Sequence, residues 1–308
     1  MGRASVHVVI VNWNSGAQLR ECLQSFEAVA GDDVTVRITV IDNASADGSA
    51  ENLQTAVPLA VIRNEDNRGF AAACNQGAAG SDAEYLLFLN PDTQLMPGSL
   101  ERPARYLASE YHENVGVVSI QLVDMNGNVA RNTAREPIAW SLIGNGIGLD
   151  RLMPSVFPPH FVTDWAHDET RPVDQVMGAF LFVRRDVFEA LGGFDERFFV
   201  YYEDLDFALR ARQRGWSSVY LASARAFHRG QGTSEAVPER RTFYFCRSKM
   251  LFALKYFNPI GAFGVILATL VLEPLARVAA APRSAGNILR AFGMLWKDLP
   301  DILRSSRS

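Results

Sequence analysis

The feature that most constrains this chain is a repeated switch of hydrophobic period. Four short aliphatic runs, 6–11, 34–41, 59–62 and 85–89, alternate with segments of turn or helical character. Short apolar runs bounded by turn residues read as strands buried on both faces. Between the first two runs, Leu19, Cys22, Leu23 and Phe26 recur at helical spacing within 17–29. Ser45, Asp47 and Ser49 offer N-cap groups for a helix over 51–57, and a further helix is expected over 70–79. Strands separated by helices imply right-handed crossovers and an α/β fold with a central, mostly parallel sheet flanked by helices.

In such sheets ligands bind at the carboxyl ends of strands. Polar residues stand at those ends one after another: Asn12 and Asn14, Asp42 and Asn43, Asn64 and Asn67, Asn90 and Asp92. Asn and Asp also favour turns for backbone reasons, so the recurrence has a structural reading beside the functional one.

Past Asp92 the pattern changes. A helix is expected over 97–109, a strand near 115–120, and a hairpin over 122–130 around Asn126-Gly127. Residues 133–172 are rich in Pro, Gly and aromatics without a clear period, which reads as an irregular excursion, a candidate flap. A strand over 173–183, helices over 186–191 and 204–213, a strand over 217–221 and a loop over 226–232 follow. From Pro238 onward the chain reads as helices, interrupted at Pro259, Pro274 and Pro282. The expected division is therefore an α/β domain over 1–237 and a helical region over 238–308.

The net charge of −4 argues against nucleic acid as a partner, because phosphate backbones reward clustered Lys and Arg. Cys22, Cys74 and Cys246 are odd in number and far apart, which fits buried thiols in a reducing cytoplasm rather than a disulfide framework or zinc site. The start of the chain lacks the long apolar region of a signal peptide. Residues 256–272 are uncharged but short of the ~20 residues that span a bilayer, so they read as a buried or an interfacial helix.

Three groups could carry chemistry. Asn90-Pro91-Asp92 ends the run Leu86-Leu87-Phe88-Leu89, where a carboxylate could bind a divalent cation or cap the next turn. Glu203, Asp204 and Asp206 form an acidic cluster after an aromatic stretch, with Asp206 and Arg210 spaced to pair along a helix. His228, 24 residues after Asp204, reads as a structural residue alone and as a metal ligand or phosphate contact beside two acidic clusters. Arg240, Arg241, Arg247 and Lys249 form a basic stretch in which Arg247 and Lys249 are candidate phosphate contacts. There is no GxxxxGK[ST] loop, no GxGxxG after the first strand and no GxSxG elbow.

Taken in order, these motifs resemble family 2 glycosyltransferases of the GT-A fold, especially the bacterial rhamnosyltransferase-like branch. The matching residues are Val9-Ile10-Val11-Asn12-Trp13-Asn14, Val40-Ile41-Asp42-Asn43-Ala44-Ser45, Asp47-Gly48-Ser49, Asn64, Asn67-Arg68-Gly69-Phe70 and Asn75. They continue with Leu89-Asn90-Pro91-Asp92, Gly178-Ala179, Gly192-Gly193-Phe194-Asp195, Glu203-Asp204-Leu205-Asp206 and His228, over roughly 6–257.

The resemblance implies roles. Residues 1–95 would bind a nucleotide sugar and 96–237 the acceptor. Val11, Asn12, Asn14, Asp42 and Asn43 would hold base and ribose, and Asn67 and Gly69 would line the diphosphate side. Asn90 and Asp92 take the place of the family's DxD motif, with a neutral Asn90 where the first acid stands. Asp92 and His228 would bind Mg²⁺ or Mn²⁺, and Asp204, beside Glu203, matches the catalytic base. The implied donor is dTDP-rhamnose, with other dTDP- or UDP-sugars next, and the acceptor a saccharide or polyprenyl-linked saccharide. The implied place is the cytoplasm, with peripheral contact at the inner membrane face. The C-terminal region would serve as a membrane contact or a homodimer interface. A nucleotidyltransferase and an inactive nucleotide-sugar-binding protein are the rival readings. The first is disfavoured because Asn12-Trp13-Asn14-Ser15-Gly16 carries no Lys or Arg.

Overall fold

The structure is a computed structural model and describes residues 3–29, 33–230 and 237–305. Its strands are β1 (Ala4–Asn12), β2 (Val34–Asp42), β3 (Leu59–Arg63), β4 (Tyr85–Leu89), β5 (Thr93–Leu95) and β6 (Val115–Val123). They continue as β7 (Thr133–Ala134), β8 (Arg171–Val173), β9 (Gln175–Val176), β10 (Phe180–Arg184) and β11 (Ser217–His228). The main sheet runs β3-β2-β1-β4-β10-β6-β11-β5, with β8 added on β11. β1 pairs in parallel with β2 and β4, β2 with β3, and β6 with β11. β10 is antiparallel to both its neighbours. The sheet is mostly parallel and flanked by helices, as expected from the sequence.

Alternation along the strands builds a core on each face. Val8, Ile10, Leu87 and Leu89 pack with Phe26, Phe180 and Phe182 on one side. Val9, Val11, Leu86 and Phe88 pack with Ile41, Phe194 and Phe207 on the other. Successive residues of a strand point to opposite faces, so a β-branched run covered on both sides needs no polar position. The helix Phe70–Ala78 lies against the second face. A Cβ on Gly77 would fall 2.4 Å from Cγ1 of Val9, so only glycine permits this approach.

Several boundaries differ from expectation for local reasons. No helix forms over 51–57. Gly48 and Asn52 adopt left-handed φ of 71° and 51°, and Asp47 binds the N–H groups of Gly16 and Ser49, which holds the segment as a string of turns. β6 runs three residues past 120, and the hairpin beyond it is a tight turn in which Asp124 accepts from the N–H groups of Asn126 and Asn128. The strand expected over 173–183 breaks between β9 and β10 at 177–179. β11 continues through a register shift between Leu221 and Arg225, so His228 ends a strand instead of sitting in a loop. The end of that expected loop, 231–232, falls outside the described residues.

The chain divides into two units, and the division is interleaved instead of falling at 237. One unit comprises Met1–Ala134, Thr163–Glu196 and Asp204–Thr233 and holds the sheet. The other comprises Arg135–Val162, Arg197–Glu203 and Ser234–Ser308. The excursion expected to be irregular therefore contributes helices, Ala139–Gly146 and Leu149–Leu152, to the second unit. There they join Pro238–Tyr256, Pro259–Leu267, Glu273–Ala280 and Ala285–Ser305. Inside this unit Glu273, 1% exposed, takes the Lys249 ammonium on one oxygen and the Arg277 guanidinium at 2.7 Å on the other.

Candidate active site

Parallel strands bring their polar termini to one edge. Asn12 of β1 stands opposite Asp42 of β2, and its amide donates to the Asp42 carboxylate at 2.8 Å. The same amide lies 3.0 and 2.9 Å from the Ser45 and Ser49 hydroxyls, and the Ser15 hydroxyl donates to its carbonyl. Asn14, in a left-handed conformation at φ 50°, accepts from the Ala46 N–H, while its own N–H donates to Ser45. Asn43 donates to the Gly69 carbonyl and accepts from Asn64, and Asn67 accepts from the Gly69 N–H at 2.9 Å. These asparagines thus knit the strand-end loops together. Asp42 emerges with one oxygen held by Asn12 and the other without a hydrogen-bond partner among the described residues.

The second corner lies where β4 ends. Asn90 donates its N–H to Ala179 and accepts from the Thr93 N–H, forming a turn that leads into β5. β5 pairs with the end of β11, placing His228 opposite Thr93. The Nε2 of His228 consequently lies 3.3 Å from Oδ2 of the buried Asp92. That separation matches two adjacent ligands each ~2.1 Å from one small divalent cation. One carboxylate and one imidazole leave most of a coordination shell to phosphate oxygens and water. No cluster of three or more His, Cys, Asp or Glu surrounds them among the described residues. Asp92 also makes its charge felt at Cys22, whose buried thiol is pushed well above the ordinary range by burial first and that charge second.

The third corner is Asp204, at the start of the helix Glu203–Gln213. One oxygen accepts from the Leu205 N–H at 2.8 Å and the other from the Gly178 N–H at 3.0 Å. The Gln175 side chain also bonds this carboxyl. Burial raises the Asp204 pKa above the usual carboxylate range, against the lowering effect of those hydrogen bonds. A half-buried carboxylate with only neutral hydrogen-bond partners is suited to take a proton. Immediately before the acidic pair, Tyr201 and Tyr202 both adopt left-handed φ, 66° and 70°. Such conformations are costly for bulky residues and concentrate at functional sites.

The break between β9 and β10 links the last two corners. Gly178 holds Asp204 through its N–H, and the next residue, Ala179, accepts from the Asn90 N–H and the Thr93 hydroxyl. Two successive residues, Gly178 and Ala179, therefore tie the candidate base to the turn carrying Asp92. A family model for glycosyl transferase family 2 matches residues 7–191.

The chain belongs to that family. This family 2 glycosyltransferase is 30% identical over 238 residues to N-acetylglucosaminyl-diphospho-decaprenol L-rhamnosyltransferase of Mycobacterium tuberculosis, a match covering 72% of this chain and 75% of the relative. It is 23% identical to rhamnosyltransferase WbbL of Escherichia coli, over 72% of this chain and 83% of the relative. Its fold is similar to the mannosyltransferase PcManGT of Pyrobaculum calidifontis, solved with GDP-Man and Mn²⁺, at a TM-score of 0.55 and 18% identity, covering 98% of this chain and 81% of that one. It is also similar to GalNAc-T7, solved with UDP, GalNAc and Mn²⁺, at a TM-score of 0.57 and 16% identity, covering 83% of this chain and 48% of that one.

Within the glycosyltransferase, Asp42, Asn90, Asp92, Asp204 and His228 all belong to the sheet-bearing unit. Other residues expected at the site have different tasks. The Val11 side chain is part of the core, and Asn12 is fully buried, so Asn12 orients Asp42 instead of facing a ligand. Asn14, Asn43 and Asn67 are engaged in loop bonds, and Gly69 precedes its helix with φ 86°. Glu203 is buried at the helix start, and Asp206 pairs with Arg210 at 2.7 Å. Arg247 pairs with Asp298 at 2.8 Å, and Lys249 is buried against Glu273. Both cations therefore lack the free charge expected of phosphate contacts, because the helical unit uses it internally. Sequence reading did not assign roles to Gly178 and Gln175. Their only signal was a Gly-Ala pair in a strand-like run, the usual mark of a break or close approach.

Proposed function

We propose that this glycosyltransferase moves L-rhamnose from dTDP-rhamnose onto a polyprenyl diphosphate-linked saccharide, with inversion, at the cytoplasmic face of the inner membrane. Other dTDP- and UDP-sugars are the next donors in order. The observation that carries the mechanism is the Asp204 carboxyl, half-buried and held by two backbone N–H groups, tied through Gly178-Ala179 to the Asp92–His228 pair. Kinship with two rhamnosyltransferases, one named for a decaprenol-linked acceptor, supports the sugar and the lipid.

Asp42, steadied by Asn12, would receive the nucleoside end of the donor. Asp92 and His228 would hold a divalent cation, which offsets negative charge on the departing nucleoside diphosphate. Either Mg²⁺ or Mn²⁺ suits a carboxylate and an imidazole completed by phosphate and water. Asp204 would accept the proton of the acceptor hydroxyl as its oxygen forms the new bond to the anomeric carbon and the carbon–phosphate-oxygen bond breaks. A single displacement of this kind inverts the anomeric centre. Covalent catalysis by cysteine is disfavoured, since Cys22 and Cys246 are buried, with burial pushing the Cys246 thiol up to about 12.

Donor choice can be read by thermal shift and by release of nucleoside diphosphate, with each dTDP- and UDP-sugar in Mg²⁺, Mn²⁺ or chelator. The proposal expects the largest response from dTDP-rhamnose with a divalent cation, a shift of several degrees at ligand far above its Kd. A response to UDP-hexoses alone would overturn the rhamnosyl assignment and leave the family intact.

A further inference from the structure

The helical unit carries a helix that is inside out by the standards of a water-facing surface. Residues 259–280 form one continuous helical stretch, with a π-type turn at Ala268–Leu272. Its exposed side chains are Ile260, Phe263, Leu267, Val271, Leu272 and Leu275, spaced three or four apart, with Ile260 86%, Phe263 65% and Leu275 67% exposed. No charged side chain of this stretch is fully exposed: Glu273 is buried, and the half-buried Arg277 is paired to it. A surface helix normally turns its charges outward and its apolar stripe inward. The apolar surface also has a neighbour. Ala139 lies 3.2 Å from where a Cβ on Gly261 would stand, and the residues flanking Ala139, Ile138 and Trp140, are exposed.

The last helix of the unit supplies charge beside apolar groups. Leu289-Arg290, Trp296-Lys297 and Leu303-Arg304 recur every seven residues, and all six side chains are exposed. Seven residues are two helical turns, so the pairs form parallel apolar and cationic stripes along one side. Arg283 is exposed just before them. Trp beside Lys and Arg is the composition of a membrane–water interface, and each cation there is attracted to anionic headgroups.

We infer that residues 259–280 lie in the plane of an anionic bilayer surface, the stripe Ile260–Phe263–Leu267–Val271–Leu275 sunk among the acyl chains and the cations of the last helix against the headgroups. By length and hydropathy alone the same stretch could cross a bilayer. The buried knot forbids it. Glu273 is bonded to Lys249 of the helix Pro238–Tyr256 and to Arg277, with the Cys246 thiol at 3.6 Å. Swinging the stretch out to span would strip Lys249 of its counter-ion and carry the Glu273–Arg277 pair into a low dielectric. The knot therefore fixes one side of the helix to the protein and leaves the other for lipid. The inference shares a membrane location with the proposed lipid-linked acceptor but does not depend on the donor or sugar.

The test uses the full chain without donor or acceptor and reads co-sedimentation with vesicles of phosphatidylcholine, alone or with phosphatidylglycerol. The wild type is expected to bind the mixed vesicles and to be released by high salt or alkaline carbonate. Ile260→Ser with Leu275→Ser should weaken binding at least ~10-fold, and Arg290→Glu with Lys297→Glu should abolish the preference for phosphatidylglycerol. Both pairs are exposed, so unchanged thermal unfolding is the control for folding. Resistance to carbonate would overturn the in-plane arrangement in favour of spanning. Absence of vesicle binding, with a dimer in light scattering that the Ile260→Ser/Leu275→Ser variant loses, would assign the stripe to a second copy of the chain. Absence of vesicle binding by the wild type, with glycosyl transfer to a soluble acceptor intact, would refute the inference without touching the proposed function.

Discussion

Asp204, half-buried, and Glu273, fully buried, are both acids on helices whose carboxyls are shielded from water, and their surroundings differ in the one respect that decides their use. Burial opposes ionisation of both. At Glu273 the Lys249 and Arg277 charges overcome it and hold the carboxyl below its ordinary range. At Asp204 the hydrogen-bond partners are neutral N–H groups and an amide, and burial prevails, raising the pKa. One acid is locked as an anion inside a structural knot; the other is left able to exchange a proton. Burial of a carboxylate alone does not mark a catalytic residue, whereas burial without a paired cation points towards one.

Removing the charge should separate the two most sharply. Glu273→Gln leaves Lys249 buried without its counter-ion and is expected to cost about 3–5 kcal/mol of stability, read as a fall in thermal midpoint. Adding Lys249→Met should restore much of that loss, and no restoration would break the account of the knot. Asp204→Asn is expected to leave stability unchanged or increase it. A carboxyl whose folded pKa is raised stabilises the fold only below its unfolded pKa, and that contribution is lost as pH rises through the folded pKa. Above its folded pKa the ionised Asp204 is therefore a burden that Asn removes.

The next effect concerns the metal corner. Asp92→Ala should raise the Mn²⁺ or Mg²⁺ concentration for half-maximal transfer by about 10–100-fold, and His228→Ala should do so by less, since the carboxylate supplies the only charge of the pair. An unchanged metal requirement in both variants would break the assignment. The smallest effect is in the pH dependence of stability. His7, buried between Ser81 and Thr39, has its pKa lowered to about 4 by burial and then by Arg37. Its folded pKa lies below the unfolded 6.5, so its contribution is full above pH 6.5 and is lost as pH falls towards 4, by roughly 3 kcal/mol at most. His7→Gln should flatten the stability curve in that window.

Much of this was readable from the sequence because it is carried by short-range pattern. Short apolar runs marked β1, β2 and β4, and a parallel sheet then required Asn12, Asp42 and Asn90 to share an edge. Asp204 stood out as an acid at a helix start, and His228 as a lone histidine after a strand. What the pattern could not show is which polar groups satisfy one another. Asn14, Asn43 and Asn67 read as ligand contacts because nothing in one dimension reveals that Ala46 and Gly69 already bind them. Lys249 read as a phosphate contact because its partner Glu273 lies 24 residues away, past the helix break at 257–258. The helix expected over 51–57 failed on left-handed residues whose conformation neighbouring strands impose. The interleaved units were equally hidden, since residues 135–162 have no period of their own and take their helices from packing on the C-terminal ones.

The most direct test of the central claim is the transfer rate of Asp204→Asn beside its donor affinity, measured on one preparation with saturating Mn²⁺. The account predicts a loss of about 10²–10⁴-fold in kcat, the usual worth of a positioned base, with donor Kd and thermal midpoint preserved. A variant that turns over at the wild-type rate, or one that loses donor binding in the same proportion as rate, would contradict the assignment of Asp204 as the base.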